Sequence, residues 1–406
     1  MRSRSTKWVA GALALATSAA VLAGCSSSTP SGGGTTTTSG GATSQPAQVS
    51  VDSFNSSFST MSTLKSLAEQ GKGKVGALLP ETTTSARYTS FDAPYLKKSF
   101  EMAGLSSDQY IITNAQGSDA TELSQAQSDI SQGATVLLMD PIDSGVGASI
   151  ESYAKSHGVK VIDYDRLTLG GSRDYYVSFN NVTVGKLIGQ GMVSCLSAWH
   201  VTKPQILVMR GAPTDNNATL FAQGYNGVLN PYFSSGKYVK VGEPAGTWDP
   251  PTAQTTFEQQ FTAHPNINAV VMPNDDTANA VISYLKTRKI PAKTFPTTGQ
   301  DATLTGLQNI LAGYQCGTVY KPIYLEAQAA VALALYLRAG QTPPSSLVNG
   351  KTEDTTSHTQ VPSVLLTPTW VTTANMNSTV VKDNFVNTNQ LCAGSYQSLC
   401  KQAGIS

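Results

Sequence analysis

The sequence predicts an α/β protein built from two Rossmann-like, doubly wound lobes. Its 406 residues are 40% hydrophobic, which is enough for two ordinary hydrophobic cores. From Lys74 onwards, short segments that are apolar throughout alternate with amphipathic segments, as expected for parallel strands with helices on both faces of the sheet. The alternation runs up to Asn181 and then repeats over a similar length, which indicates a second lobe.

The first lobe is predicted to begin at Lys74, with no ordered structure before it. Its strands are predicted at residues 75–79, 110–112, 136–139, 159–162 and 175–179. Its helices are predicted at residues 93–104, 121–132 and 150–156. The parallel strands therefore end at one edge of the sheet, which is where open α/β sheets bind their ligands.

The second lobe repeats this order. Its strands are predicted at residues 205–209, 238–241, 269–272, 295–299 and 318–320. Its helices are predicted at residues 184–199, 220–232, 255–263, 278–287 and 304–311. A last helix at residues 323–338 is apolar over a face too broad to be exposed, so we expect it to return and cover the first lobe.

The chain begins with an export signal at residues 1–25. Its basic start precedes an apolar run, residues 9–22, that is too short to span a bilayer comfortably. The signal ends at Cys25 in the segment LAGC, which looks like the lipobox of bacterial lipoproteins; a plain signal with a chance cysteine is the alternative. Residues 26–72 are predicted to be a disordered linker and lead-in, because most of this stretch is Ser, Thr, Gly, Pro, Ala and Gln. We therefore expect an exported protein that is anchored by lipid to the outer face of the cytoplasmic membrane.

The remaining cysteines fit an exported chain. Besides Cys25 there are four, which allow three pairings. Cys392 and Cys400 lie close together in a polar tail, so we predict a local disulfide between them. Cys195 lies on an apolar helical face and Cys316 in a strand-like run, where simple burial is the alternative. Neither the cysteines nor the scattered histidines have the spacing of a metal site, and we expect no metal and no cofactor.

Composition and motifs argue against several functions. A net charge of +1 with 13% charged residues disfavours a nucleic acid partner. The motifs GxxxxGK[ST], HExxH and GxSxG are absent, so phosphate cradling, zinc protease and serine hydrolase chemistry lack support. Asp275 and Asp276 are neighbours in a loop and usually face apart, which disfavours a glycosidase. We predict that the protein is not an enzyme, with a sugar-acting enzyme as the less favoured alternative.

Polar residues follow the ends of several predicted strands in both lobes. Asp165, Asn274 and Asp301 can accept hydrogen bonds, Arg166, Asn217 and Lys321 can donate them, and Tyr88 or Trp248 can stack. Taken singly, each is more often a turn or helix N-cap residue than a ligand contact. Together, at the same end of parallel strands, they would line one cleft. A monosaccharide needs such a set, because its hydroxyls both donate and accept and its C–H faces pack on flat aromatic walls.

Several segments are similar to the pentose-binding branch of bacterial periplasmic sugar-binding proteins, in which D-xylose is bound. They are YDR, YVSFNN, GAPTDNNATLF, GTWDP, PNDDTANA, GQD and VYKP, in the family's order and spacing. The resemblance covers roughly residues 74–385. It implies the type I periplasmic binding protein fold, in which two lobes are joined by a multi-strand hinge and close on an aldopentose.

The resemblance also assigns residues. It implies sugar contacts from Asp165, Arg166, Asn217, Trp248, Asn274, Asp301 and Lys321. Arg87 and Tyr88 match an arginine–aromatic pair after the first strand, although the flanking segments PETTTSA and TSFD depart from the family. The implied division places residues 73–181 and 321–350 in the first lobe, 182–320 and 359–390 in the second lobe, and 391–406 in a C-terminal tail.

The function implied by the resemblance is that of an extracytoplasmic substrate-binding protein. It would bind D-xylose as a monomer, close around it and deliver it to the permease subunits of an ABC importer. A binder with broader specificity, which also accepts glucose, galactose or arabinose, is the alternative within the family. The sequence leaves both open, since it does not reveal the wall that would reject an extra hydroxymethyl group.

Overall fold

The computed structural model describes residues 48–405, which contain a seven-stranded and a three-stranded, mainly parallel β-sheet with flanking helices and a small two-stranded antiparallel sheet. The predicted two-lobed α/β architecture is confirmed. The predicted signal at residues 1–25 with Cys25, and residues 26–47 of the predicted linker, lie outside the described residues.

The first lobe starts with helix α1 and continues through alternating strands and helices. The elements are α1 (Lys65–Gln70), β1 (Lys74–Leu79), α2 (Ala93–Met102), β2 (Tyr110–Asn114), α3 (Asp119–Ser131), β3 (Ala134–Met139), α4 (Ser144–Ser156), β4 (Lys160–Tyr164) and β5 (Tyr175–Phe179). A short π-helix, Tyr88–Asp92, leads directly into α2.

The second lobe follows β5 without a break. Its elements are α5 (Asn181–Ala198), β6 (Gln205–Val208), α6 (Asn216–Ser234), β7 (Val239–Gly242), α7 (Pro250–Ala263), β8 (Ala269–Val271), α8 (Asp275–Thr287), α9 (Leu304–Leu311) and β9 (Thr318–Tyr320). The remaining elements are α10 (Ile323–Arg338), β10 (Gly350–Asp354), β11 (Thr359–Leu366), β12 (Thr369–Val371), α11 (Thr388–Leu391) and α12 (Gln397–Gln402).

The largest sheet has the strand order β10-β11-β5-β4-β3-β1-β2 and is parallel except for the β10–β11 pair. Helix α10 packs on β3, β4, β5 and α2, and nearly all of its side chains are buried. The expectation that this helix covers the first lobe is confirmed. No helix within residues 48–405 is long and apolar enough to cross a membrane.

The predicted start of order at Lys74 is wrong, as is the extension of the disordered lead-in to residue 72. Residues 51–70 form short 3-10 helices and α1, and Phe58, Met61 and Leu64 are fully buried beneath α2 and α10. Gln328 of α10 also donates a hydrogen bond to the carbonyl of Asn55 at 2.9 Å. The apolar residues recur every three residues, a helical spacing that the Ser- and Thr-rich composition around them obscures.

The predicted boundary of the second lobe is also wrong. Strand β11 lies in the first sheet, where it pairs with β5 in the register Val364↔Val177, rather than in residues 359–390 of the second lobe. An apolar strand at this position covers the edge of β5, which would otherwise expose unpaired backbone groups. The chain crosses to the second lobe after Leu366, and β12 then pairs with β9. The lobes are thus connected after β5, after β9 and after β11.

The second sheet is less regular than predicted. Only β7, β6 and β8 form its continuous part, and the strand expected at residues 295–299 is reduced to an isolated bridge at Thr297. Thr298 explains this, because its side-chain oxygen accepts from the amide of Met272 at 2.8 Å and donates to the carbonyl of the same residue at 3.0 Å. The Thr298 side chain therefore takes the place of the backbone hydrogen bonds that a regular strand would form with Met272.

Two disulfides brace the part of the chain from residue 48 to residue 405. Cys392 and Cys400 are joined within the tail, the pairing that the sequence analysis favoured. Cys195 is joined to Cys316 across 121 residues, so simple burial is the wrong interpretation for these two cysteines. The tail packs on the rest of the protein, because Leu391 and Ile405 are buried, and just before the tail Phe385 stacks on Phe91 with ring centroids 4.1 Å apart.

Several helices begin earlier than the apolar pattern suggests. Helix α6 starts at Asn216 rather than residue 220, and α8 starts at Asp275 rather than residue 278. In both, the first turn is polar and the residue before it caps the helix: Asp215 accepts from the amide of Asn217, and Asn274 from that of Thr277. The caps place these side chains at the carboxyl ends of β6 and β8.

Candidate functional site

All of the predicted ligand contacts line one cavity of about 300 Å³, which lies where the segments after the strands of both sheets meet. These residues are Arg87, Tyr88, Asp165, Arg166, Asn217, Trp248, Asn274, Asp301 and Lys321. Sequence reasoning missed Ser85, Asp215, Phe221 and Gln300, which also line it. Three of the missed residues lie inside the segments GAPTDNNATLF and GQD. Their position in these segments was a usable signal, but a cap residue or an apolar residue does not stand out as a ligand contact.

Arg87 is held by carboxylates on three sides. Its guanidinium donates two hydrogen bonds to Asp92 at 2.7 and 2.9 Å, one to Glu326 at 2.9 Å and one to Asp165 at 2.6 Å. Burial alone would lower the pKa of Arg87, but the three carboxylates raise it well above its ordinary value. The cation is therefore permanently charged and fixed in orientation before any ligand arrives.

Asp165 is the centre of the charged groups. Although burial would raise the pKa of Asp165, the cations Arg87, Lys321 and Arg166 hold it at about 2, so the carboxylate is ionised. Lys321 bridges the lobes, with its Nζ 3.4 Å from Asp165 Oδ1 and 3.5 Å from Asp301 Oδ1.

Asp165 and Asp301 also share an unusual backbone conformation. Each follows a strand or bridge and has a positive φ, 57° for Asp165 and 96° for Asp301. Such strain costs on the order of 1 kcal/mol or more at a non-glycine residue and persists where the surroundings enforce it. Here the amides donate to Val177 and Val319, which turns both carboxylates into the cavity.

Arg166 links the two lobes. Its Nε lies 3.2 Å from Asp215 Oδ2 of the second lobe and 3.6 Å from Asp140 Oδ1 of the first. Its guanidinium also lies 5.6 Å from the ring centroid of Tyr88, and the guanidinium of Arg87 lies 5.3 Å from the same ring. Tyr88 is thereby fixed as an aromatic wall by two cation–π contacts.

Asn217 occupies the first turn of α6 and reaches the first lobe. Its amide nitrogen donates to the carbonyl of Asp165 at 3.1 Å, and its Oδ1 accepts from Asn181 at 2.7 Å. The position of this side chain is thus set by both lobes. A ligand in the cavity would meet Asn217 and Asp165 as one unit.

The second lobe supplies a separate aromatic wall. Trp248 donates its Nε1–H to Asp215 at 3.0 Å and meets Phe221 edge-on, with centroids 6.5 Å apart. Its ring lies so close to Gly211 that a Cβ there would approach ring carbons to 2.2 Å. Glycine at position 211 is therefore required for the indole to lie flat against the backbone.

Asp301 and Gln300 retain hydrogen-bonding capacity inside the cavity. Asp301 Oδ2 accepts a hydrogen bond from the side-chain Nε2 of Gln300 at 2.9 Å. Within the part of the chain that the structure describes, Asp301 Oδ1 and Gln300 Oε1 are buried and take part in no hydrogen bond. Buried acceptors are rarely left in this condition, so a ligand that donates hydrogen bonds would complete them.

The cavity suits a small neutral molecule with several hydroxyl groups. Its cations and carboxylates are largely paired with each other, which leaves directional donors and acceptors rather than an excess of charge. Aromatic rings enter from both lobes, Tyr88 from the first and Trp248 from the second. Such a combination favours polar, flat-faced ligands over ions.

Comparisons with known proteins identify the family. The sequence profile of the periplasmic binding protein domain family matches residues 76–342. The D-xylose-binding periplasmic protein of Escherichia coli strain K12 is 38% identical over 283 residues, which cover 69% of this chain and 82% of that protein. The multiple sugar-binding periplasmic receptor ChvE of Rhizobium radiobacter is 34% identical over 342 residues, which cover 79% of this chain and 92% of that protein.

A solved structure supports the same assignment. The carbohydrate transporter solute-binding protein of Chloroflexus aurantiacus, in complex with D-glucose, superposes with a TM-score of 0.70 at 27% identity and covers 78% of this chain and 97% of that chain. The family match extends over more than half of the chain, and the relatives are matched over most of their own length. The chain therefore belongs to the family of periplasmic sugar-binding proteins with the type I fold.

Proposed function

We propose that this protein is the substrate-binding lipoprotein of an ABC sugar importer and that it binds D-xylose between its two lobes. The observation that carries the proposal is the single cavity in which cations, carboxylates, amides and two aromatic walls from both lobes come together. The 38% identity to the D-xylose-binding periplasmic protein of Escherichia coli adds to it.

The mechanism is hinge closure without chemistry. A sugar first meets the residues of one lobe, and contacts to the other lobe then favour the closed state by their differential affinity. Arg166 and Lys321 contact carboxylates on opposite sides of the cavity, so their ion pairs change most directly when the cleft closes. The closed monomer then docks on the permease subunits in the membrane.

The available hydrogen bonds account for useful affinity. Each hydrogen bond between a sugar hydroxyl and a charged group contributes about 1.5 to 3 kcal/mol. A handful of them, reduced by the loss of ligand and side-chain freedom, reaches the roughly −8 kcal/mol of micromolar binding.

Isothermal titration with D-xylose and D-glucose, side by side, tests the ligand. We expect micromolar or tighter binding of D-xylose and clearly weaker binding of D-glucose, because the extra hydroxymethyl group must be accommodated among the charged and aromatic side chains that line the cavity. Equal affinities would contradict the pentose assignment. Absence of heat with every aldose would contradict sugar binding itself.

A binder of broader specificity is the second candidate. It is favoured by the 34% identity to a multiple sugar-binding receptor and by the fold match to a protein solved with D-glucose. In that case D-glucose, D-galactose and L-arabinose would titrate with affinities within about tenfold of D-xylose. A sugar-acting enzyme predicts instead that D-xylose is converted, and NMR spectra of the sugar incubated with the protein would reveal a product.

Lipid attachment at Cys25 has its own test. The segment LAGC supports it, and the Ser- and Gly-rich residues that follow would give the tether slack. We expect the full-length protein to fractionate with membranes and to incorporate labelled fatty acid, and the variant Cys25→Ser to be secreted without label. Equal membrane association of the variant would overturn the anchor.

A further inference from the structure

We propose that Asp276 is a positioning residue that latches the loop before Arg87 and Tyr88 onto the second lobe when the cleft closes. The proposal rests on the proposed function, in which closure accompanies sugar binding. It assigns a role to the segment PETTTSA, which sequence reasoning noted as a departure from the family.

The loop is shaped within the first lobe. Glu81 folds it back, since one carboxylate oxygen accepts from the amides of Thr83 and Thr84, both at 2.6 Å. Asn114 at the end of β2 donates to the carbonyl of Glu81 at 2.8 Å. The first part of the loop is therefore held by its own lobe, and its far end, at Ala86, is free to serve another contact.

That contact crosses between the lobes. The amide of Ala86 donates to Asp276 Oδ2 at 2.8 Å, and Asp276 lies in the first turn of α8. Burial, together with the neighbouring charges of Asp301 and Glu81, raises the pKa of Asp276 to about 6, while the Ala86 amide opposes that rise. The carboxyl is ionised at pH 7, and the bond is charge-assisted.

The bond is coupled to the ligand residues but is not one of them. Neither Ala86 nor Asp276 lines the cavity, whereas Ser85 and Arg87 on either side of Ala86 do, as does Asn274 before α8. The carbonyl of Ala86 accepts from the amide of Ser90 at 3.0 Å, within the turn that carries Tyr88. Fixing Ala86 therefore fixes the backbone from which Arg87 and Tyr88 project.

The bond also lies beside a second hollow. Ala86 and Asp276 both line it, together with Phe385 and Asn387. Their chain neighbours Ser85, Arg87 and Asn274 line the ligand cavity. Because the latch joins the lobes once the cleft has closed, its loss should act mainly on ligand release.

The test compares Asp276→Ala, Asp276→Asn and the control Asp174→Ala. Asp174 also accepts a backbone amide, that of Val161 at 3.0 Å, but both partners belong to the first lobe. D-xylose dissociation is measured by stopped flow, affinity by calorimetry and sugar-free stability by urea denaturation. Residue-resolved hydrogen exchange by NMR follows the amide of Ala86, with those of Thr83 and Thr84 as internal references.

We expect Asp276→Ala to release D-xylose about tenfold faster, with sugar-free stability changed little, because one interlobe hydrogen bond to a charged group is lost. Asp276→Asn, which keeps an acceptor oxygen, should restore most of the affinity. Asp174→Ala should lower stability and leave D-xylose release unchanged. Unchanged release in Asp276→Ala, or an equal effect in the control, would overturn the latch.

Failure of the latch can be told apart from failure of the proposed function. If the wild-type protein binds no aldose, sugar binding is wrong and the latch falls with it. If the wild type binds D-xylose, the latch has its own outcome: in the sugar-bound proteins the amide of Ala86 must exchange faster in Asp276→Ala than in the wild type, with Thr83 and Thr84 unaffected. Equal exchange at Ala86 in the two sugar-bound proteins would refute the latch and leave sugar binding intact.

Discussion

The two lobes hold their site residues by different means. In the first lobe the key side chain is fixed by ion pairs between distant parts of the chain: Arg87 meets Asp165, 78 residues away, and Glu326, 239 residues away. In the second lobe two of the site residues are helix caps: Asp215 accepts from the amide two residues later and Asn274 from the amide three residues later. The first arrangement depends on tertiary structure, and the second is nearly local.

The difference teaches how each half of the site is prepared for a ligand. In the first lobe the site charges form a buried network. Removing one of them leaves its partners buried without an opposite charge, which is unfavourable. The second lobe presents two side chains, Asp215 and Asn274, that are each secured by the start of the helix they cap. Removing one of these side chains should therefore disturb several others in the first lobe, but only its own surroundings in the second.

The largest expected effect is that of Arg87→Met. Removal of the cation leaves Asp92, Glu326 and Asp165 buried without their shared partner, and breaking a buried pair in this way costs about 3 to 5 kcal/mol. We expect a fall of that size in the free energy of unfolding, measured by urea denaturation without sugar, and loss of D-xylose binding. The exposed Arg288→Met is the control, with no more than a small change. A loss below about 1 kcal/mol for Arg87→Met would show that these ion pairs do not stabilise the fold.

A second prediction concerns pH and Glu122 of the first lobe. Burial raises the pKa of Glu122 from 4.5 to about 8, so between these values the folded chain keeps a proton that the unfolded chain releases. This group therefore stabilises the fold at low pH, and its contribution is lost as pH rises to 8, by at most about 1.4 kcal/mol per pH unit. Asp165, with a pKa of about 2, does not titrate in this range.

The variant Glu122→Gln isolates this contribution. Glu122 accepts from the amide of Ile142 at 3.1 Å, and the carbonyl of Ile142 accepts from Arg166, so the glutamine oxygen can preserve the contact. We expect urea denaturation at about pH 5.5 and pH 8 to show a smaller decline in stability for Glu122→Gln than for the wild type. The exposed Glu69→Gln should decline like the wild type. An unchanged decline in Glu122→Gln would exclude this glutamate as the titrating group.

The smallest expected effect belongs to the second lobe. Asn274→Ala removes the cap of α8 and a cavity side chain, whereas Asn180→Ala removes the cap of α5 outside the cavity. Both should lose about 1 kcal/mol of stability in urea denaturation. Only Asn274→Ala should also weaken D-xylose binding, by up to about tenfold in calorimetry. Equal affinities for the two variants would mean that Asn274 serves the helix alone.

The comparison of the lobes also explains which features could be predicted from sequence. The segments that contain Asn217, Asn274 and Asp301 are local patterns, and the structure places these residues on the lining of one cavity. Their roles as sugar contacts stay predictions. The partners of Arg87 were not foreseen, because Glu326 lies on a helix that reads as wholly apolar packing. Asp215 was not among the predicted contacts; it caps α6 and also contacts Arg166 and Trp248.

The sequence by itself determined the alternation of strands and helices, the two lobes, and the set of polar residues at the strand ends, because these follow from hydrophobic periodicity and from chemistry within a few residues. Tertiary structure alone decided that residues 51–70 pack on the first lobe, that β11 joins the first sheet, and that Cys195 pairs with Cys316. It also decided the positive φ of Asp165 and the bond from Ala86 to Asp276. These features depend on which distant surfaces bury each other, and local sequence carries little information about that choice.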